Sequence, residues 1–230
     1  MSKIFVTSDC HFNHQNILKY EPNSRPFETV EEMNEVIIKN WNSVVSPEDT
    51  VYVCGDFCMG TIDRAKECIC QLNGKIILIR GNHDTANRIK LYQELGIEVK
   101  DIEYISYKGR FFILCHFPIA NEEFINMVRK DNSEVVNLYG HVHSNAPKGY
   151  KDGTYHVGAD TNNLTPISLE QIWQECWPEE IMTKPVQEYK NQFSKCDKCV
   201  FETSCSKTCL DEDGSCKKYK RDAKDGGFYG

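Results

Sequence analysis

The stretch Lys75-Ile76-Ile77-Leu78-Ile79-Arg80-Gly81-Asn82-His83-Asp84 decides how this chain is read. Four large aliphatic residues in a row describe a strand covered on both faces, because a half-exposed strand would alternate with polar residues. Its carboxyl end delivers a glycine, an amide oxygen, an imidazole and a carboxylate in consecutive positions. In open α/β sheets, chemistry collects at the carboxyl ends of strands. Working outward, four more apolar runs end in groups of the same kind. Lys3–Thr7 leads to Asp9 and His11, and Thr50–Cys54 leads to Gly55-Asp56. Arg110–Cys115 leads to His116, and Val135–Tyr139 leads to Gly140-His141-Val142-His143.

Helical patterns separate these strands. Thr29 with Glu32 forms a capping box ahead of Val30, Met33, Ile37, Trp41 and Val44 at helical spacing. A second helix is expected over about 61–72, with Ala65, Cys68, Ile69 and Leu72 on one face and Gly74 as its stop. A short helix follows through Ile89, Tyr92 and Leu95, then less regular β structure near 97–107 and a helix around 121–130. A strand at Thr154–Gly158 and a helix opened by Ser168, with Gln171 completing a second capping box, close the domain. Alternating strands and helices predict an α/β domain over residues 1–180. A polar linker at 181–195 and a cysteine-rich extension at 196–230 follow.

Composition narrows the function classes. With 230 residues and 40% hydrophobic content, the chain accommodates one α/β domain and an appendage. Residues 184–230 carry ten Lys/Arg against eight Asp/Glu, which leaves −9 of the total −7 on the first 183 residues. Such a domain does not advertise non-specific nucleic-acid binding. No run approaches the roughly 18 apolar residues of a membrane span. The N-terminus enters a strand directly, so no signal peptide is expected. Twelve cysteines in a chain of this size are expected to be reduced thiols, and the protein to be cytoplasmic.

The groups that end strands are Asp9, His11, Asp56, Asn82, His83, His116, His141 and His143, and they include five of the seven histidines. Imidazoles with carboxylates and an amide oxygen suit Mn, Fe, Zn or Ni, whereas an all-oxygen set would suit Mg or Ca. The seven ligand candidates (the eight groups without His83) exceed the four that tetrahedral zinc takes, so two divalent ions are the economical reading. Asp9 and His11 lie two apart at a strand end, so both side chains can point to one side; His141 and His143 repeat that spacing. Asp56 is the best bridging ligand, since a carboxylate can hold two cations roughly 3.5–4 Å apart. Taken singly, Asp-x-His or Gly-Asp usually means an ordinary turn. Five such blocks, each closing an apolar run, make a strong joint signal.

These blocks resemble the signature of the calcineurin-like metallophosphoesterases, in order and over about residues 3–175. Ser8-Asp9, His11-Phe12, His14, Asn16-Ile17, Arg25-Pro26-Phe27, Met33-Asn34 and Trp41-Asn42 are similar to a branch of small bacterial and phage phosphoesterases. Cys10 stands where threonine is common and Asn13 where glycine is common. The resemblance implies a four-layer α/β/β/α sandwich. It also implies Asp9, His11 and His143 on one metal, Asn82, His116 and His141 on the other, and Asp56 between them. His83 is then no ligand but faces the leaving oxygen, oriented by Asp84.

Two divalent ions against two carboxylates leave about +2 locally, which attracts phosphate to an acidic domain. Ions held there would acidify a bound water toward neutral pH and supply a nucleophile for in-line attack, and a protonated His83 would donate to the departing alkoxide. Arg25 and His14 are candidate phosphate clamps, with a solvated loop residue the plain alternative for Arg25. His156, in a strand, is expected to be a packed residue rather than a ligand. In the extension, Cys196 and Cys199 with Cys205, Cys209 and Cys216 suggest a structural zinc or an Fe–S centre, against an unstructured tail. The expected function is hydrolysis of small phosphate esters, diesters slightly ahead. The alternatives are a phosphodiesterase acting on nucleic acid and a metal-stabilised interaction module without turnover. Oligomeric state is not legible.

Overall fold

The computed structural model describes residues 2–119 and 135–178. The chain divides into two units, Met1–Glu179 and Glu180–Gly230, and the description concerns the first. The helix expected at 121–130, the linker at 181–195 and the candidate ligands Cys196, Cys199, Cys205, Cys209 and Cys216 lie outside the described residues.

Strands β1 (Ile4–Thr7), β2 (Thr50–Val53), β3 (Lys75–Ile79) and β4 (Glu98–Lys100) run parallel in that order, with β10 (Ile167–Ser168) antiparallel on the outer side of β1. A second sheet has the order β5 (Glu103–Tyr107), β6 (Arg110–Leu114), β7 (Val135–Tyr139), β9 (Thr154–His156), β8 (Tyr150–Lys151). Its three central strands β6, β7 and β9 are parallel and its two edges antiparallel.

Alternation along β1 and β3 explains why both faces are apolar. Phe5, Ile76 and Leu78 enter a core with Ile17 of the short α1 (Ile17–Tyr20) and with the helices α2 (Val30–Val44), α3 (Ile62–Ile69) and α4 (Ala86–Glu94), through Met33, Trp41, Ala65 and Tyr92. Val6 and Ile79 point the other way, into a second core with Phe112, Leu114, Val136 and Leu138 of the facing sheet. The last helix, α5 (Leu169–Cys176), sends Leu169 and Ile172 into that same core between the sheets. The described residues therefore form an α/β fold with a helical layer and two stacked sheets.

Caps behave largely as expected. Thr29 and Glu32 form a complete capping box at α2. At α5 only half of one forms: the Ser168 hydroxyl accepts from the Gln171 N–H, but the Gln171 amide donates to Glu175 instead of turning back. No helix among the described residues is long and apolar enough to cross a membrane.

Backbone bonds continue the ladders past the strand ends. Asp9 N–H donates to Gly55, His11 N–H to Asp56, Gly140 N–H to His116 and Ala159 N–H to Ser8. A parallel bridge between Ser8 and Gly158 joins the two sheets at this end. Asp9, His11, Asp56, Asn82, His83, His116, His141 and His143 gather there.

Candidate metal centre

The pairing of ligands in Asp9-x-His11 and His141-x-His143 does not come from strand alternation, as the spacing suggested. β1 ends at Thr7 and β7 at Tyr139, and Asp9, His11, Asp56, His141 and His143 all have positive φ, between 50° and 73°. Left-handed turns at non-glycine residues are strained and cluster at functional sites, where surrounding bonds hold them. Here the Asp9 carboxylate accepts the His141 N–H at 2.9 Å, and Asp56 Oδ1 accepts the His83 N–H at 2.8 Å. Glycine is required where segments cross: a Cβ on Gly140 would strike Ser8 and the Asp9 carboxylate, and one on Gly81 would strike Asp56. Asn13 also has positive φ (63°), and Asn34 holds it through reciprocal amide bonds, which accounts for an asparagine in a glycine-like position.

The side chains converge in two groups around Asp56. Asp9, His11 and His143 offer ligand atoms within 4.8 Å of one another, and so do Asp9, Asp56 and His116. On the other flank, Asn82 Oδ1 lies 2.8 Å from His116 Nε2 and 3.0 Å from His141 Nδ1. Asp56 Oδ2 sits between the flanks, 3.6 Å from His11 Nε2, 3.5 Å from His116 Nε2 and 4.0 Å from His83 Nε2. His11 Nε2 is buried without a hydrogen-bond partner. A buried lone pair aimed at a carboxylate oxygen is an unsatisfied arrangement unless a cation completes it. The donor set fits a metal.

The electrostatics say the same. Burial raises the Asp9 carboxyl to about 6, against the opposing pull of His143 and His116. Burial also holds His11 well below the usual imidazole range, helped by the Arg25 charge, so it offers a neutral nitrogen. Burial works against ionisation of Asp56, yet the hydrogen bond and charge of His116 with the His83 N–H outweigh it and lower the carboxyl to about 2. For His116 burial again opposes the charge, and its bond to Asp56 wins and raises it. Burial lowers His141.

A family profile for the calcineurin-like phosphoesterase superfamily domain matches residues 2–158. The chain belongs to that superfamily. An uncharacterised protein of Methanocaldococcus jannaschii is 38% identical over 184 residues, covering 75% of this chain and 90% of its own. The Gene 66 protein of Mycobacterium phage L5 is 26% identical over 167 residues, covering 63% of this chain and 79% of its own. Among solved structures, a protein of unknown function from Aquifex aeolicus superposes with a TM-score of 0.61 at 28% identity, over 76% of this chain and 99% of that one.

Within this calcineurin-like phosphoesterase, two expected roles need correction. Arg25 is not a phosphate clamp: its side chain is 0% exposed. Its guanidinium donates to both oxygens of Asp160 and to the carbonyls of Asp9 and Cys10, beneath the site and away from solvent. Asp84 does not orient the His83 ring. Its buried carboxylate accepts the N–H groups of Gly81, Asp56 and Phe57 and the Tyr92 hydroxyl, so it ties two ligand-bearing loops together. The His83 backbone is held by Asp56 and by Arg88, which donates to its carbonyl. Its ring stays 44% exposed over the centre. His14 lies at the rim, its Nδ1 3.1 Å from His11 Nδ1 and its ring 6.2 Å from His83. His156 is buried, with Nδ1 bonded to the Thr161 hydroxyl.

Asp160 was missed from sequence. Its carboxylate receives Arg25 and also pairs with His143 Nδ1 at 2.7 Å. The signal was available: Asp160 closely follows Thr154–Gly158, a strand-like run whose carboxyl end carries none of the groups singled out from the sequence.

Proposed function

We propose that this calcineurin-like phosphoesterase hydrolyses phosphate esters at a pair of divalent cations, with phosphodiesters ahead of monoesters. The observation that carries it is the placement of Asp56 Oδ2 between two histidine-containing clusters with His83 exposed above them. Asp9, His11 and His143 would hold one ion, Asn82, His116 and His141 the other, and Asp56 both. Bound there, Mn, Fe, Zn or Ni would supply Lewis acidity toward phosphoryl oxygens and an acidified water.

The chain's own residues do the rest. His83 is the group free to reach an ester oxygen, because its ring is not engaged by Asp84. It would donate a proton to the leaving alkoxide, an effect worth about 10²–10⁴ in rate. The Asp56 carboxylate, fixed through the His83 N–H, sets the distance between His83 and the ligands on both flanks. His14 is placed to meet a phosphoryl oxygen from the rim. Support for diesters comes from a cavity of about 570 Å³ beside Asn82 and His116, lined by Arg80, Ile102, Cys115 and Phe117. Phe117 packs edge-on against His116 and His141, at 5.0 and 4.5 Å between ring centres, and is half exposed. A second ester group would have both room and an apolar wall there.

The test is metal analysis together with hydrolysis of a panel of mono- and diesters by wild type, His83→Ala and Asp56→Asn. Asp56→Asn should lose at least one ion. His83→Ala should keep its metal and lose about 10²–10⁴ in kcat on esters with poor leaving groups, with a smaller loss on activated aryl esters. A His83→Ala protein equal to wild type on poor leaving groups removes the proton-donor role. A wild-type protein that binds metal and turns over no ester leaves the interaction-module reading.

A further inference from the structure

The histidines of the two flanks are oriented by different kinds of partner. His116 Nδ1 faces a backbone carbonyl, that of Cys54, at 2.8 Å. His143 Nδ1 faces a carboxylate, Asp160 Oδ2, at 2.7 Å. That carboxylate is no free surface group: its side chain has no exposed surface, and Arg25 approaches it through Nε at 2.7 Å and Nη2 at 3.0 Å, with the Ser24 hydroxyl at 2.7 Å. The same guanidinium donates to the Asp9 carbonyl at 2.6 Å and the Cys10 carbonyl at 2.9 Å. Arg25 and Asp160 thus touch two of the three residues on one flank and none of Asn82, His116 or His141 in any bond found among the described residues.

The geometry points to Arg25–Asp160 as a positioning pair that builds the Asp9/His11/His143 flank and leaves the other flank alone. Asp160 accepts the Nδ1 proton of His143, so the ring presents Nε2 as its free lone pair. The carboxylate also makes that lone pair more basic, as carboxylate–histidine pairs do at metal sites. Arg25 keeps the carboxylate in place and, through the Asp9 carbonyl, holds the left-handed turn (φ 53°) that aims the Asp9 side chain inward. Burial excludes a role for either residue in touching substrate. A purely mechanical brace between residues 25 and 160 would stabilise the fold without favouring one cation over the other. The difference between the flanks is what separates the two accounts.

This rests on the two-cation reading above, and the experiment is arranged to tell the two apart. Manganese or zinc is titrated calorimetrically into the full-length, metal-free wild type and Asp160→Asn, with bound metal counted by elemental analysis. Asparagine keeps the size and one acceptor oxygen while removing the charge. Two ions in wild type, with one of them weakened about 10–100-fold in Asp160→Asn and the other unchanged, supports the inference. Two ions bound equally well by both proteins overturns it. A second measurement needs no variant: ¹⁵N–¹H correlation of the imidazole rings in the metal-free wild type. A proton on His143 Nδ1 supports the pair's role, and a proton on Nε2 with Nδ1 bare overturns it. If wild type takes up a single ion, the two-cation reading fails, and the ring spectra alone decide the role of Asp160. They decide it likewise if Asp160→Asn does not fold.

Discussion

Arg25 has no accessible surface, yet it carries a permanent charge. Such a residue survives in a core only because Asp160 and three further acceptors, including Met33 Sδ, surround it. Removing one partner of a buried pair leaves the other unpaired, which costs about 3–5 kcal/mol. Arg25→Ala should therefore lose stability of that order in urea denaturation; a variant as stable as wild type with a raised KM would reinstate the clamp. Asp9 gives a pH prediction. In the metal-free fold its carboxyl is raised from 3.8 to about 6, so the folded state holds the proton more tightly than the unfolded chain. That contribution is full below 3.8 and is lost as pH rises through about 6. Asp9→Asn cannot titrate, so in chelator its stability relative to wild type should rise by roughly 3 kcal/mol between pH 4 and 7. A difference that does not change with pH would show that Asp9 is ordinary in the absence of metal.

At the scale of elements, the strand-to-loop junctions matter more than the strands. Each of these strands stops two or three residues before its candidate ligand, and after β1, β2 and β7 a left-handed turn then re-aims the chain. Gly140 is where the loop after β7 passes over the loop after β1. Gly140→Ala should displace the Asp9 carboxylate and weaken uptake of at least one cation, while far-ultraviolet circular dichroism stays unchanged. Metal binding equal to wild type would mean the loops can separate without harm. The helices serve the same junctions at a distance. Trp41 donates to the Asn73 carbonyl and Asn42 pairs with Asn73 and Gln71, so α2 holds the turn that feeds β3 and its Asn82-His83.

For the molecule as a whole, the candidate ligands follow strands of both sheets, so a cation bound among them would tie the sheets together. Metal binding to the folded state alone adds stability by mass action, about 2.7 kcal/mol at a hundredfold excess over Kd. Chelator should lower Tm by several degrees, reversed by re-addition of metal and dependent on its concentration. A Tm indifferent to chelator would place the cations outside the cooperative fold.

The sequence alone was enough for β1, β2, β3, β6, β7 and β9, most helix starts and the set of groups that meet, because apolar period, caps and glycine punctuation are local properties; the two-residue strands β8 and β10 are too short to show a period. It also placed the candidate ligands just past strand ends, where five blocks of the same kind made a joint signal that no single block carried. What it could not decide depends on facing. Arg25 looked like a loop arginine because the acid that buries it, Asp160, is 135 residues away. Asp84 looked like a partner of the neighbouring His83 ring, whereas its carboxylate turns back to the N–H groups of Asp56, Phe57 and Gly81. Backbone handedness at Asp9, His11, His141 and His143 was invisible for the same reason. A left-handed turn at a non-glycine residue is unfavourable locally, and only bonds contributed by distant segments make it the stable choice.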